Sequence, residues 1–291
     1  MDRHGLVCRT VLEQPDITQR EMAQKLKVSL GTVNGLIKEC IGKGYIAERT
    51  DGGGGSGWEL TGEGRRLLEG YKVDGALIIA AGFGSRFVPL TFETPKGLLE
   101  VFGERMIERQ ICQLHEVGIT DITIAVGYLK EKFEYLMDKY DVKLLYNPEY
   151  SDKNTLATIY RSRKVLKGRN MYVLASDNWM RENMYHAYEC GAWYSAAYQD
   201  GETKEWCLSF NKRGRITDVK IGGRDQWVMY GPAYFSREFS ARFLPVLEAY
   251  YKSPGTEQFY WEQVYVDMLS GEARRRLEQE DGELLNEAVM A

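Results

Sequence analysis

The chain has 291 residues, enough for two domains at about 100–200 residues each. A hydrophobic fraction of 44% and a charged fraction of 27% are those of an ordinary globular protein, not a disordered or fibrous one. The net charge of −4 divides unevenly. Residues 1–72 carry 11 basic against 10 acidic side chains, and residues 73–291 carry 27 against 32. A strongly basic nucleic-acid binder is thereby excluded, and any electrostatic DNA footprint is small and confined to the N-terminal part.

Five cysteines, at 8, 40, 112, 190 and 207, are odd in number and widely spaced, without a CxxC pair. That argues against a disulfide framework or a structural zinc site. The three histidines, at 4, 115 and 186, are too scattered for a His-based metal site or triad. The first residues lack a basic stretch followed by an apolar run, so no signal peptide is expected. No window holds about 18 uninterrupted apolar residues. The expectation is a reduced, cytoplasmic protein without a membrane partner.

In chain order, Leu6, Val7, Val11 and Leu12 fall at helical spacing, and Pro15-Asp16 ends the run. Thr18-x-x-Glu21 reads as a capping box opening a second helix through Met22, Ala23 and Leu26. Ser29 is the next N-cap, and the following helix buries Val33, Leu36, Ile37 and Ile41. Tyr45-Ile46-Ala47 and Trp58–Thr61 read as two strands around a glycine-rich tip at 51–57, and residues 63–70 as a last short helix. This order resembles the winged helix-turn-helix family over residues 1 to about 70. The resemblance implies that the second helix of the motif offers Ser29, Thr32, Asn34 and Lys38 to DNA base edges. Winged helices also serve as dimerisation or ligand-sensing modules, and the +2 charge of residues 1–50 leaves these options open.

A second domain is expected over 73–291. Ala76–Ala81 is an apolar run of strand length that leads directly into Gly82-Phe-Gly84-Ser-Arg86. A strand running into a Gly-rich turn lets phosphates approach backbone N–H groups, because glycine has no Cβ in the way. Neither the Walker A pattern nor the dinucleotide fingerprint is present, since Phe87 stands where the third glycine would be. Helices at 106–117 (Ile107, Ile111 and Leu114 inward), 129–140 and from Asn154 alternate with strands at 121–126, 142–146 and 171–175. This predicts an α/β domain with a Rossmann-like, mostly parallel sheet and a site at the strands' carboxyl ends. Strand-like runs at 193–198, 206–210, 215–221 and 227–235 predict an antiparallel extension that shapes an acceptor pocket. Helices at about 237–251 and 257–269 follow.

The string Ala80-Ala-Gly-Phe-Gly-Ser-Arg86, Pro89-Leu-Thr, Thr94-Pro-Lys96 resembles the GT-A-like nucleotidyltransferase family of sugar-phosphate and choline-phosphate enzymes. Val126–Lys130, Asp177-Asn178, Glu205-Trp206 and Tyr260-Trp261 extend the likeness toward bacterial phosphocholine cytidylyltransferases, over residues 76 to about 270. The resemblance implies a triphosphate wrapped by Gly82, Gly84, Ser85 and Arg86, and Lys96 at the reacting phosphate. It also implies nucleotide contacts near Ala81, Gly127 and Asn154. Attack of a phosphate on the α-phosphorus of a nucleoside triphosphate needs no general base, because the nucleophile is already anionic. Catalysis is then positioning and electrostatics, by Arg86, Lys96 and Mg²⁺. Asp177, at a strand end, is a Mg²⁺ ligand candidate. Glu262 is the second, where the family has Asp after Tyr-Trp.

A quaternary ammonium is held by aromatic faces. Trp206, Tyr260 and Trp261, with Glu205 beside them and Trp179 as a fourth ring, are the candidate acceptor cage. The expected reaction is CTP plus phosphocholine to CDP-choline and pyrophosphate. Alternatives are phosphoethanolamine, aminophosphonate or sugar-1-phosphate acceptors, or a transcriptional regulator with a ligand-sensing domain. The oligomeric state stays open, a homodimer among the options.

Overall fold

The computed structural model describes residues 2–50 and 56–280. The chain divides into two units, Met1–Val73 with His186–Ala192, and Asp74–Tyr185 with Trp193–Ala291.

The first unit opens with α1 (Arg3–Glu13), capped by the Asp2 carboxylate, which accepts from the His4 amide at 3.0 Å. Then come α2 (Gln19–Lys25) and α3 (Leu30–Gly42). The capping box forms as expected: the Glu21 amide donates to Thr18 Oγ1 at 3.2 Å, and the Thr18 amide to Glu21 Oε2 at 2.9 Å. Strands β1 (Ile46–Thr50) and β2 (Ser56–Leu60) pair antiparallel, with Ile46 opposite Leu60. The predicted tip lies mostly at 51–55, outside the described residues. Helix α4 (Gly62–Glu69) closes the unit. Val7, Val11, Met22, Val33, Ile37 and Leu68 form its core. The indole of Trp58 ties the wing to the motif by donating to the Ile17 carbonyl at 3.0 Å.

The sequence reading placed residues 186–192 in the second part, whereas the structure groups them with the first. The Asp2 amide donates to the Cys190 carbonyl at 2.8 Å, and the Glu189 amide to the Tyr71 carbonyl at 2.8 Å. Arg9 pairs with the nearly buried Glu189 at 2.9 Å. The side-chain partners are ordinary residue types far apart in the chain, so no local pattern announces them.

The second unit is built on a six-stranded sheet. In chain order its elements are β3 (Gly75–Ala80), the short hairpin β4 (Glu100–Val101) and β5 (Glu104–Arg105), α5 (Met106–Glu116), β6 (Ile122–Val126), α6 (Tyr135–Tyr140), β7 (Lys143–Tyr146), α7 (Thr155–Leu166), β8 (Met171–Ala175), β9 (Trp193–Phe210), β10 (Ile216–Phe235), α8 (Arg237–Lys252), α9 (Trp261–Ser270) and α10 (Glu272–Glu280). The sheet order is β7-β6-β3-β8-β10-β9. The first four strands are parallel, and β10 and β9 add antiparallel. Burial of β3 and β6 on both faces explains their continuous apolar sequences. Leu77, Val173, Phe235, Phe243, Leu247 and Trp261 are among the core residues that join sheet and helices.

Two expectations are corrected here. The four strand-like runs after residue 192 are two long strands, whose register slips at several points, so that Val228 stands opposite both Ala197 and Cys207. The helix expected over 129–140 is broken into a 3₁₀ turn at Lys130–Phe133 and α6, preceded by Leu129 in the left-handed region at φ 48°.

Candidate active site

At the carboxyl ends of β3 and β8 lies a cavity of about 420 Å³. Its floor is the turn that follows β3. Gly84 adopts φ 69°, where a side chain is strained, and a Cβ there would also come within 3.1 Å of the Thr91 methyl. Fully buried Thr91 holds the turn by donating from Oγ1 to the Gly84 carbonyl at 3.1 Å. Ala81, Gly82, Gly84 and Ser85 line the cavity. The backbone of Arg86 continues into a 3₁₀ turn at Ser85–Phe87, and its side chain lies outside the described residues.

Lys96 and Asp177 meet across the cavity as an ion pair, 81 residues apart in sequence. The Lys96 ammonium also sits 4.4 Å from the Phe87 ring centroid. Lys96 enters on the 3₁₀ turn Lys96–Leu98, and Asp177 from the end of β8. Asn154 lines the same cavity as the N-cap of α7, its Oδ1 accepting from the Thr155 amide at 2.8 Å. Gly127 stands behind the wall. A Cβ there would come within 2.6 Å of the Ala81 carbonyl oxygen and the Tyr150 Cβ, so this close backbone approach requires glycine.

The structure adds Lys153 and Gln258, which sequence reasoning missed. Lys153 pairs with Glu149 at 2.7 Å and lies 4.1 Å from the Tyr251 ring centroid. Burial pushes the Glu149 carboxyl up, but hydrogen bonds from Lys153, Tyr251 and Arg161 outweigh it and hold the group at about 2. The one available signal was position, since Lys153 immediately precedes Asn154.

The expected aromatic cage is only partly assembled. Tyr260 lines the cavity, and Trp206 meets it edge-on, with centroids 6.4 Å apart and planes at 84°. Trp261 is corrected to a core residue. It is 5% exposed and packs on Phe235 at 5.1 Å and Phe243 at 5.9 Å. Trp179 packs instead against Phe102, with the rings tilted by 53°, and under the Arg109 guanidinium. Glu205 is exposed on β9 and does not line the cavity.

Glu262 does not line the cavity either, although it lies in the first turn of α9 beside Tyr260. Its Oε1 accepts from the Tyr194 hydroxyl at 3.2 Å. Its Oε2 is buried without a partner among the described residues. Burial pushes the carboxyl up to about 7, against the backbone and Tyr194 hydrogen bonds that favour ionisation. An orphaned carboxylate oxygen of this kind is suited to a divalent cation, which prefers oxygen ligands.

In the first unit, Ser29 caps α3, accepting from the Thr32 amide at 3.1 Å, and its hydroxyl lies 2.8 Å from Thr32 Oγ1. Asn34 Nδ2 donates to Gln19 at 3.3 Å. Lys38 is exposed. Three of the four residues expected to read bases thus also serve bonds within the motif.

A strand-to-glycine-turn cavity that gathers Lys96 and Asp177 at the sheet's carboxyl edge defines a nucleotidyltransferase. The Nucleotidyl transferase family signature matches residues 75–198, and the signature described as Winged helix-turn-helix DNA-binding matches residues 9–47. The choline-phosphate cytidylyltransferase of Streptococcus pneumoniae is 33% identical over 192 residues, 66% of this chain and 83% of that one. The 2-aminoethylphosphonate cytidylyltransferase of Lancefieldella rimae is 36% identical over 191 residues, 65% of this chain and 78% of that one. A solved structure of the Streptococcus pneumoniae CTP:phosphocholine cytidylyltransferase superposes with a TM-score of 0.65 at 30% identity, covering 72% of this chain and 99% of that one. The chain belongs to the nucleotidyl transferase family and carries a winged helix at its N-terminal end. No helix among the described residues is long and apolar enough to cross a membrane.

Proposed function

We propose that this enzyme transfers a cytidylyl group from CTP to phosphocholine, giving CDP-choline and pyrophosphate. The observation that carries the reading is the Trp206–Tyr260 corner at the edge of a cavity already holding the glycine turn, Lys96 and Asp177. A trimethylammonium group offers no hydrogen-bond donor and is held by aromatic faces, at about 0.5–2 kcal/mol per ring.

In the reaction a phosphate oxygen of the acceptor attacks the α-phosphorus, and the bond to the bridging oxygen breaks. Pyrophosphate leaves with the electron pair, and no proton has to be removed from the nucleophile. The turn at Gly82–Ser85 presents backbone N–H groups to the triphosphate. Lys96, released from Asp177 as substrate enters, offsets the charge brought together when two anions meet. Lys153 adds a second positive charge at the cavity wall. Asp177 would hold Mg²⁺ at the cavity, with Glu262 as the second carboxylate, and the ion would supply further charge neutralisation at the phosphates.

The test is pyrophosphate release over a grid of CTP, UTP and dTTP against phosphocholine, phosphoethanolamine, 2-aminoethylphosphonate and sugar 1-phosphates. Turnover with CTP and phosphocholine, and a Trp206→Ala variant whose KM rises about tenfold for phosphocholine but little for CTP, are expected. Turnover with a sugar phosphate alone would refute the acceptor assignment. The likeness to the Lancefieldella rimae enzyme favours 2-aminoethylphosphonate as the second reading. A primary ammonium gains less from the aromatic corner, so in that case Trp206→Ala is nearly silent.

We further propose that the first unit binds DNA mainly through phosphate contacts. The support is the winged helix-turn-helix match together with the internal commitments of Ser29, Thr32 and Asn34. A gel shift on the DNA upstream of its own coding sequence should weaken steeply with salt. Binding that is insensitive to salt, or no binding at low salt, would reject this.

A further inference from the structure

Helix α5 reads in sequence as amphipathic, with Ile107, Ile111 and Leu114 inward. The structure buries two amide side chains as well: Gln110 completely, and Gln113 at 4% exposure. Buried amides need partners, and both find them on the segment that carries Asp177. Gln110 Nε2 donates to the Ala175 carbonyl at 3.0 Å. Gln113 Nε2 donates to the Met180 carbonyl at 3.1 Å. Arg109, four residues before Gln113 and so on the same side of the helix, donates from Nε to the same Met180 carbonyl at 2.6 Å. It also donates from Nη2 to the Arg181 carbonyl. Its guanidinium carbon lies 4.8 Å from the Trp179 ring centroid, and Glu104 anchors Nη1 at 2.7 Å.

The backbone is therefore gripped two residues before Asp177 and three residues after it, from one helix. Between the two grips, the Asn178 amide turns back to the Ala175 carbonyl at 3.3 Å. The Oε1 atoms of Gln110 and Gln113 have no partner among the described residues. An apolar side chain of similar volume would fill these places without that loss. What the two amides add is a fixed backbone path around Asp177.

We propose that Arg109, Gln110 and Gln113 are positioning residues for the transfer reaction, forming a clamp on α5 that fixes the backbone carrying the Asp177 carboxylate at the cavity. None of the three lines the cavity. The proposal rests on the nucleotidyltransferase assignment and not on the choice of acceptor.

The test is a double-mutant cycle on the full chain. Gln110→Met keeps the volume and removes the donor. Asp177→Glu keeps a carboxylate but moves it by one methylene. In the wild-type background Gln110→Met should lower kcat at least tenfold, with KM for CTP changed less than twofold and an unfolding midpoint within a few degrees. In the Asp177→Glu background the same change should cost less than twofold, because the geometry it protects is already lost. Equal losses in both backgrounds, or an unchanged kcat, would overturn the proposal. Should Gln110→Met fail to fold, Arg109→Lys carries the cycle, since it keeps the charge but loses the fork that spans two carbonyls. The assay uses whichever acceptor the wild type turns over, so an error in the phosphocholine assignment leaves the cycle intact.

Discussion

Gly97 is the residue through which Lys96 and Asp177 are brought together, and a single methyl group tests that. A Cβ at this position would lie 2.7 Å from both Cβ and Oγ of Ser176 and 3.1 Å from its carbonyl oxygen. Ordinary contact begins at 3.4 Å, so Gly97→Ala must open the gap by about 0.7 Å. Gly97 has no positive φ, so the perturbation is steric and not conformational. Ser176 is tied to the sheet, its amide donating to the Ile79 carbonyl at 3.0 Å. The displacement therefore falls on the neighbours, Lys96 on one side and Asp177 on the other. Overpacking of this kind costs about 1–3 kcal/mol of stability. A misplacement near 1 Å costs on the order of 10²-fold in rate. Gly97→Ala should then fold cooperatively, melt a few degrees lower, and lose about 10- to 100-fold in kcat for pyrophosphate release. Adding Ser176→Gly removes the clashing Cβ and Oγ and should recover most of the rate. A Gly97→Ala enzyme with wild-type kcat, or a double variant no better than the single one, would refute the argument.

Glu262→Gln tests the buried carboxyl. Its proton is held up to about 7 against an ordinary 4.5, so folding takes up a proton between these values and stability falls as pH rises through that window. In chelator at pH 8 the variant should be more stable than wild type by up to about 3 kcal/mol, and the gap should close near pH 5; equal melting at both pH values counts against the burial. Glu108 and Glu149 act in the opposite sense. Burial pushes both up, but Lys139, Tyr135 and Tyr140 around the first, and Lys153, Tyr251 and Arg161 around the second, hold them at about 2. Their contribution is complete above about 4.5 and lost as pH falls toward 2, so Glu149→Gln should flatten the fall in urea midpoint between pH 5 and pH 2.5. Thr18→Ala removes the hydroxyl that accepts from the Glu21 amide, leaving only the backbone half of the capping box, and should cost about 1 kcal/mol, read as faster amide exchange in α2 with α8 unchanged.

Much of the fold was legible because its signals are local. The capping box at Thr18 and Glu21, the apolar run of β3 and the turn that follows it each depend on residues within a few positions of one another. Lys96 and Asp177 stood out as candidates because each belongs to a recognisable local motif, though nothing in either motif says that they pair. The misreadings share one cause. Trp261 and Trp206 are the same residue type beside similar carboxylates, yet one is sealed among Phe235 and Phe243 and the other meets Tyr260, which lines the cavity. The reading of α5 named only Ile107, Ile111 and Leu114 as inward, and it is the carbonyls of Ala175 and Met180, some 65 residues away, that partner Gln110 and Gln113 in the interior.

The sequence by itself determined the order of elements, the glycine turn after β3 and the winged helix, because hydrophobic period, caps and glycine turns act over a few residues; the enzyme class was legible through the resemblance of its motifs to a known family. The tertiary structure decided which aromatic rings face the cavity and where Glu262 turns. It also decided that residues 186–192 belong with the first unit, and that α5 grips the strand end carrying Asp177. These depend on burial and on hydrogen bonds between segments distant in the chain, which no local pattern encodes.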